Sequence, residues 1–279
     1  MTLDQLPPLR ETLDAHGLMA KKAFGQHFLL DLNVTRKIAR LAGPFEGCAV
    51  IEVGPGPGGL TRALLETDAS RVIVVEKDAR FLPLLEELRE AAGGKLVVVE
   101  GDALEVDETA LLAQHADGAP GRLVSNLPYN VGTPLLIKWL TGPWTPHGMA
   151  LMFQKEVADR VAARPGSSAY GRLGIIAQAV CTARVVMDLP ARAFTPPPKV
   201  ASAVVRLEPR ADRPSADILA ALERVTAAAF GQRRKMLRSS LKALGGEALC
   251  AQAGVDPNAR AEVIDLPGFL RLAAASGAD

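Results

Sequence analysis

Ile51-Glu52-Val53-Gly54-Pro55-Gly56-Pro57-Gly58-Gly59-Leu60-Thr61 joins an apolar run, residues 48–53, that reads as a buried strand, to residues 60–65, which read as the start of a helix. A strand-to-helix turn crowded with glycine lets backbone come close to a ligand, because glycine has no Cβ and tolerates φ > 0. Gly54, Gly56 and Gly59 satisfy the dinucleotide pattern G-x-G-x-x-G, a weak signal by itself. Two details point away from a phosphate ligand. Pro55 and Pro57 lack the backbone N–H groups that a pyrophosphate needs, and Glu52 would repel phosphate while suiting a cation. S-adenosylmethionine, with a sulfonium, an ammonium and no phosphate, meets these demands.

A chain of 279 residues with 48% hydrophobic content can build one large domain and a smaller one. Only 4% of residues are aromatic, so an aromatic beside a motif carries extra weight. The first twenty residues hold a single Arg and lack a secretory apolar core, and apolar runs stay short of the ~20 residues of a membrane span. A cytoplasmic protein is expected. Cys48, Cys181 and Cys250 are widely separated and form no C-x-x-C, so free buried thiols are expected, with neither a disulfide framework nor a metal. Residues 1–140 carry 14 Lys and Arg against 19 Asp and Glu, and the remainder carries 18 against 12. The later half therefore suits a polyanion.

Beyond the glycine turn, strands at 71–76, 95–100, 122–125 and 149–153 alternate with helices at 81–92, 108–115 and 133–140. Near-continuous apolar strands alternating with helices predict an α/β domain with a parallel sheet covered on both faces, binding its ligands at the carboxyl ends of the strands. Residues 9–16 read as a short helix, and residues 21–31 as either a lid or a hydrophobic clip, with Asp31 or Asn33 capping the helix that follows. Residues 174–187 and 202–207 read as further strand material, and Pro196-Pro197-Pro198 as extended loop. A polar linker at 210–214 separates a first domain, 1–209, from a second, 210–279, that is helical: Ile218, Leu222, Val225 and Ala229 recur at helical spacing, as do Leu237, Leu241 and Leu244.

The strand ends then supply the chemistry. Glu76, about twenty residues past the glycines, can accept both hydroxyls of a ribose. Asp102 is placed to accept from an adenine amino group. Ser125-Asn126-Leu127-Pro128-Tyr129-Asn130 brings an amide oxygen, a proline-fixed backbone and an aromatic ring to the fourth strand end. An exocyclic amine is a poor nucleophile because its lone pair is delocalised into the ring. It gains reactivity when acceptors arranged tetrahedrally, here the Asn126 side chain and the carbonyl of Leu127 or Pro128, hold its hydrogens as charge develops. Tyr129 would stack on the base, and Phe194 would form a second wall followed by Lys199 for phosphate. Residues 224–242 contain Arg224, Arg233, Arg234, Lys235, Arg238 and Lys242 and no acid, with Lys235, Arg238 and Lys242 on a helix face opposite the leucines, a cationic stripe suited to RNA.

Lys22-Ala-Phe-Gly-Gln-His-Phe-Leu29, Glu52-Val-Gly-Pro-Gly56, Glu76-Lys-Asp78, Gly101-Asp-Ala103, Asn126-Leu-Pro-Tyr129, Phe153-Gln-Lys-Glu-Val157, Tyr170-Gly-Arg-Leu173, Phe194-x-Pro-Pro-Pro-Lys-Val200 and Phe230-x-Gln-Arg-Arg-Lys235 stand in one order along nearly the whole chain. This series resembles the KsgA/RsmA-type small-subunit ribosomal RNA adenine N6,N6-dimethyltransferases. The resemblance implies a Rossmann-like S-adenosylmethionine-dependent methyltransferase domain with a small C-terminal helical domain. It implies a cofactor touching His27, Leu29, Gly54, Gly56, Glu76, Asp102, Ala103 and Asn126. The substrate it implies is two adjacent adenines in the 3′-terminal hairpin of small-subunit ribosomal RNA, met by a monomer on the immature 30S subunit. Position 27 departs from the family, which usually has Asn. Imidazole there makes cofactor binding pH-dependent, an expectation that an affinity flat between about pH 5.5 and 8 rules out. Three other readings stay open: a large-subunit methyltransferase of the resistance type, a ribosome-assembly factor whose methylation is secondary, and an NAD dehydrogenase, which leaves residues 126–129 unexplained.

Overall fold

A computed structural model describes residues 2–18, 27–232 and 234–277. Residues 21–26 of the expected lid and Arg233 lie outside the described residues. In chain order the elements are α1 (Leu9–Ala15), β1 (Phe28–Leu29), α2 (Leu32–Ala42), β2 (Ala49–Val53), α3 (Gly59–Leu65), β3 (Arg71–Glu76), α4 (Leu82–Ala91), β4 (Leu96–Glu100), α5 (Glu108–His115), β5 (Gly121–Asn126), α6 (Gly132–Thr141), β6 (Gly148–Gln154), α7 (Lys155–Val161), α8 (Arg172–Val180), β7 (Cys181–Leu189), β8 (Phe194–Thr195), β9 (Ser202–Pro209), α9 (Ala216–Gly231), α10 (Leu237–Ser240), α11 (Gly246–Gln252) and α12 (Leu266–Ser276). The chain divides into two compact units, one of Met1–Ala158 with Val185–Leu207, the other of Asp159–Arg184 with Glu208–Asp279.

In the first unit the strands form a sheet in the order β4-β3-β2-β5-β6-β9-β7. β2, β3, β4, β5 and β6 run parallel, whereas β9 lies antiparallel to β6. All five residues of β2 are buried, which is why a run apolar except for Glu52, rather than an alternating one, encodes it. Asp31 caps α2 by accepting from Asn33 N at 2.8 Å, and Asp107 caps α5. A second, two-stranded ladder pairs β1 with β8, Phe28 opposite Thr195 and Leu29 opposite Phe194. It brings the first described residues after position 26 beside a segment far along the chain.

The second unit packs α8, α9 and α12 together. Phe230 stacks on Phe269 with centroids 5.8 Å apart, Tyr170 meets Phe230 edge-on, and the Tyr170 hydroxyl donates to the Ile264 carbonyl at 2.9 Å. Ser215 and Asp265 cap α9 and α12.

Two expectations are corrected. Residues 174–187 do not form one strand: residues up to Val180 belong to α8 and only the remainder to β7. Ile175, Ile176, Ala179 and Val180 are buried around the helix, so the stretch lacks the polar face that would have marked its period. The tail leucines do not share one helix either. α10 ends at Ser240, a 3₁₀ turn follows at Lys242–Leu244, and Gly245 at φ 105° turns the chain away. Lys235 precedes α10, beside Met236, which bridges Arg260, so Lys235, Arg238 and Lys242 do not line one helical face. The division at 209/210 also differs from the compact units: the chain passes into the second unit first at Asp159–Arg184, carrying α8 to its packing on α9, and returns to the first before leaving it at Glu208.

Candidate active site

The carboxyl ends of the parallel strands are laced together by hydrogen bonds that fix a cavity's floor. Val53 N–H donates to Ser125 Oγ at 2.7 Å, Gly54 N–H to the Val75 carbonyl at 2.9 Å, and Gly101 N–H to the Glu76 carbonyl at 2.9 Å. Above them opens a cavity of about 610 Å³. It takes in the glycine turn from Gly54 to Leu60, Glu76 to Asp78, and Asn126 to Asn130, with His27, Phe28, Leu29, Phe81 and Phe194 as walls.

The glycine turn is tight against its surroundings. A Cβ on Gly54 would sit 3.4 Å from Pro128, one on Gly56 3.4 Å from the Phe28 ring, and one on Gly59 2.4 Å from the Leu29 carbonyl oxygen. The last is a backbone atom of β1, which a rotamer change cannot move aside. Gly59→Ala is therefore expected to displace β1 and cost about 2–3 kcal/mol. Urea unfolding measures this, and a variant within about 0.5 kcal/mol of the parent contradicts the packing.

Two buried carboxyls define the electrostatics. Glu76, 6% exposed, accepts from Gly56 N–H at 3.0 Å and Asp78 N–H at 2.8 Å, one on each oxygen. Burial raises its pKa, partly opposed by those hydrogen bonds. Glu52, 1% exposed, accepts from the Thr61 hydroxyl at 2.7 Å, and burial pushes it up to about 8, with Glu76 adding to the shift. The full negative charge expected of Glu52 is thus largely neutralised by a proton at pH 7 in the free protein, because desolvation outweighs the single hydroxyl donor.

Of the residues expected at the site, His27, Leu29, Gly54, Gly56, Glu76, Asn126, Leu127, Pro128, Tyr129 and Phe194 all line the cavity. Asp102 and Ala103 do not. The Asp102 carboxylate is turned toward Lys77, which donates at 2.7 Å, and toward Leu104 N–H at 3.0 Å, and the Lys77 ammonium holds it below the usual carboxylate range. The Ala103 carbonyl accepts from Lys138 Nζ at 2.9 Å, while that ammonium also pairs with buried Glu108 at 2.7 Å. Lys199 is exposed on the loop between β8 and β9, and Arg234, Lys235, Arg238 and Lys242 are exposed in the second unit.

His27 has a defined partner. Its Nδ1 lies 2.7 Å from the Pro196 carbonyl. A carbonyl only accepts, so Nδ1 carries a proton, and Nε2 can donate to a carboxylate only in the imidazolium form. Sequence reasoning passed over Ser125, Lys77 and Phe81. Phe81 had a signal, as an aromatic five residues past the strand-end acid in an aromatic-poor chain; its ring meets Phe28 edge-on with centroids 5.6 Å apart. Ser125 had none, because only the fold brings it to Val53.

The donor set fits S-adenosylmethionine. Two carboxyls and apolar Pro, Leu and Phe surfaces receive a ribose and a cation, Gly56 N–H is already given to Glu76, and the prolines withhold the donors a phosphate would need. Among the described residues no group of three or more His, Cys, Asp or Glu is arranged to hold a metal, and no helix is long and apolar enough to cross a membrane.

Comparison with known proteins gives three findings. A family model described as ribosomal RNA adenine dimethylase matches residues 17–275. The ribosomal RNA small subunit methyltransferase A of Phenylobacterium zucineum is 72% identical over 98% of this chain and 94% of its own length. Among solved structures, a dimethyladenosine transferase from Plasmodium falciparum is similar with TM-score 0.72 and 25% identity, over 88% of this chain and 96% of that one. The 23S rRNA methyltransferase ErmE follows with TM-score 0.66 and 27% identity, over 89% and 98%.

Proposed function

We propose, for a chain that belongs to the ribosomal RNA adenine dimethylase family, that it dimethylates the N6 amino groups of two adjacent adenosines in the 3′-terminal hairpin of small-subunit ribosomal RNA. The observation that supports this most is a single cavity that takes in both the Gly54–Leu60 turn with Glu76 and the Asn126–Tyr129 loop. S-adenosylmethionine supplies the electrophilic methyl group. The chain's own residues do the rest. Glu76 receives the ribose hydroxyls, and Leu29 and the glycine backbone close over the cofactor. The Asn126 side-chain oxygen and one backbone carbonyl take the two amine hydrogens, building negative potential where the nitrogen gains positive charge. Pro128 O already accepts from Val131 N–H at 3.1 Å and Gly132 N–H at 3.0 Å, so that carbonyl is assigned to Leu127. Tyr129 and Phe194 hold the extruded base, and the nitrogen, quaternised as its bond to the methyl carbon replaces the sulfonium's, is acidic enough to release its proton to water, so no strong general base is needed. In-line placement supplies much of the rate.

Asp102 enters this reading only if the Lys77 ammonium gives way to an adenine amine, and Ala103 only as the neighbour that such a move carries with it, since its carbonyl is held by Lys138. The immature 30S subunit is the substrate assigned, with the chain acting as a monomer. Lys199 and exposed Arg234, Lys235, Arg238 and Lys242 are assigned to RNA phosphate. Arg234→Glu with Lys235→Glu should weaken hairpin binding and lower the slope of log affinity against log salt by about 1–2; an unaltered slope removes these residues from the interface. The activity itself is tested by incubating the protein and methyl donor with unmodified small subunits and mapping added methyl groups by mass. Two dimethyladenosines at neighbouring positions of the small-subunit 3′ hairpin are expected, and label on large-subunit RNA alone transfers the assignment to the resistance-type enzymes.

A further inference from the structure

Tyr129 is held from behind. Its hydroxyl lies 2.9 Å from Ser202 Oγ, and Ser202, the first residue of β9 and opposite Gln154 of β6, is fully buried. The His27 ring stands beside the Tyr129 ring, 6.0 Å between centroids at 32°, and His27 Nδ1–H is fixed by the Pro196 carbonyl. Phe194, two residues before Pro196, is fixed by pairing with Leu29. The two aromatic walls are thus tied to one stretch of chain, residues 194–202, at both of its ends.

A tyrosine in a loop after a strand has two soft side-chain torsions, and a base can stack on it productively in only a narrow range of ring orientations. A buried hydroxyl partner on β9, an inner strand of the sheet, pins the tip of the ring and with it the first torsion before the base arrives, and the His27 ring alongside restricts rotation about the second. We infer that Ser202 is a positioning residue for the reaction: through its hydrogen bond to the Tyr129 hydroxyl it holds in place the ring on which the target adenine stacks. It touches neither cofactor nor substrate. This inference rests on the reading that Tyr129 receives an extruded adenine.

The experiment uses the full chain, the cofactor product S-adenosylhomocysteine, and a hairpin carrying fluorescent 2-aminopurine at the target adenosine. In the parent protein the extruded base is quenched by the ring, and absence of quenching overturns both the stacking reading and this inference. If the parent quenches, Ser202→Ala is expected to keep hairpin and cofactor affinity within about twofold, to lose most of the quenching, and to lower kcat about fivefold to tenfold with KM little changed, the scale of one lost hydrogen bond. Tyr129→Phe, which removes the other half of the bond and leaves the core serine in place, should reproduce the effect if Ser202→Ala folds poorly. The double variant should lose no more than either single one. Parental quenching and kcat in Ser202→Ala, or in Tyr129→Phe, overturns the inference while leaving the stacking reading intact, as do additive losses in the double variant.

Discussion

Asn126→Ala is expected to lower methyl transfer about 10²–10³-fold, the scale of removing one preorganised group that meets charge developing in a transition state. Asn126 ends β5, where its backbone is paired with Met152 of β6 and its side chain lines the cavity. The substitution therefore removes the amide and leaves its support. Cofactor affinity is expected to weaken much less, because Glu76 and the glycine turn are untouched. Single-turnover transfer on unmodified small subunits, with cofactor binding measured in parallel, checks both halves. A loss below about tenfold would deny Asn126 the amine-holding role. The same variant separates enzyme from assembly factor: if it still binds the particle and restores subunit maturation while transferring no methyl, binding has a function of its own.

Glu52→Gln should change how stability responds to pH. The pKa of Glu52 is raised by burial to about 8 in the folded chain, against an ordinary glutamate range near 4.5. Between those values the folded protein keeps a proton that the unfolded chain has released. Stability conferred by that proton is therefore present at low pH and lost as pH rises through the window, by up to about 1.4 kcal/mol per unit. Gln keeps an oxygen for the Thr61 hydroxyl and cannot ionise. The fall in unfolding free energy between about pH 5.5 and 7.5 should shrink in the variant by about 2 kcal/mol. Equal pH dependence in parent and variant would show that Glu52 carries its charge when buried. A cationic ligand over Glu52 would draw the proton off, so cofactor affinity of the parent should also rise with pH across this window and that of the variant should not.

The parallel strands β2 to β6 were legible because each is a largely apolar run with a polar or glycine boundary: residues 71–76 were read to the residue, and Glu76 and Asn126 followed as strand ends, whereas the two-residue β1 and β8 carry no such run. α8 was not, since a helix buried on every side leaves no stripe to detect. The short α10 was hidden for another reason. Leu237, Leu241 and Leu244 obey helical spacing, while Gly245 and the Met236–Arg260 bridge, which end the regularity, act through the backbone. Residues recognisable by their place on a strand, such as Glu76 and Asn126, do line the cavity. The contacts of Ser125, Ser202 and His27 were not legible, because each is to an atom brought near only by the finished fold. Asp102 shows the reverse failure: its place after β4 was read correctly, but the side chain's direction is decided by Lys77.

The β1–β8 ladder has a bearing on how the protein is made. Leu29 leaves the ribosome early, and its partner Phe194 follows only after β2 to β6 and the excursion of Asp159–Arg184 have been translated. β6 likewise waits for β9 to cover its open edge. Pairings this distant in sequence close slowly. A nascent chain halted before Phe194 would carry the five parallel strands with the flank of β6 open, β1 unzipped and half an aromatic slot, so competence to handle a base arrives late in translation, as the final stitch rather than the first.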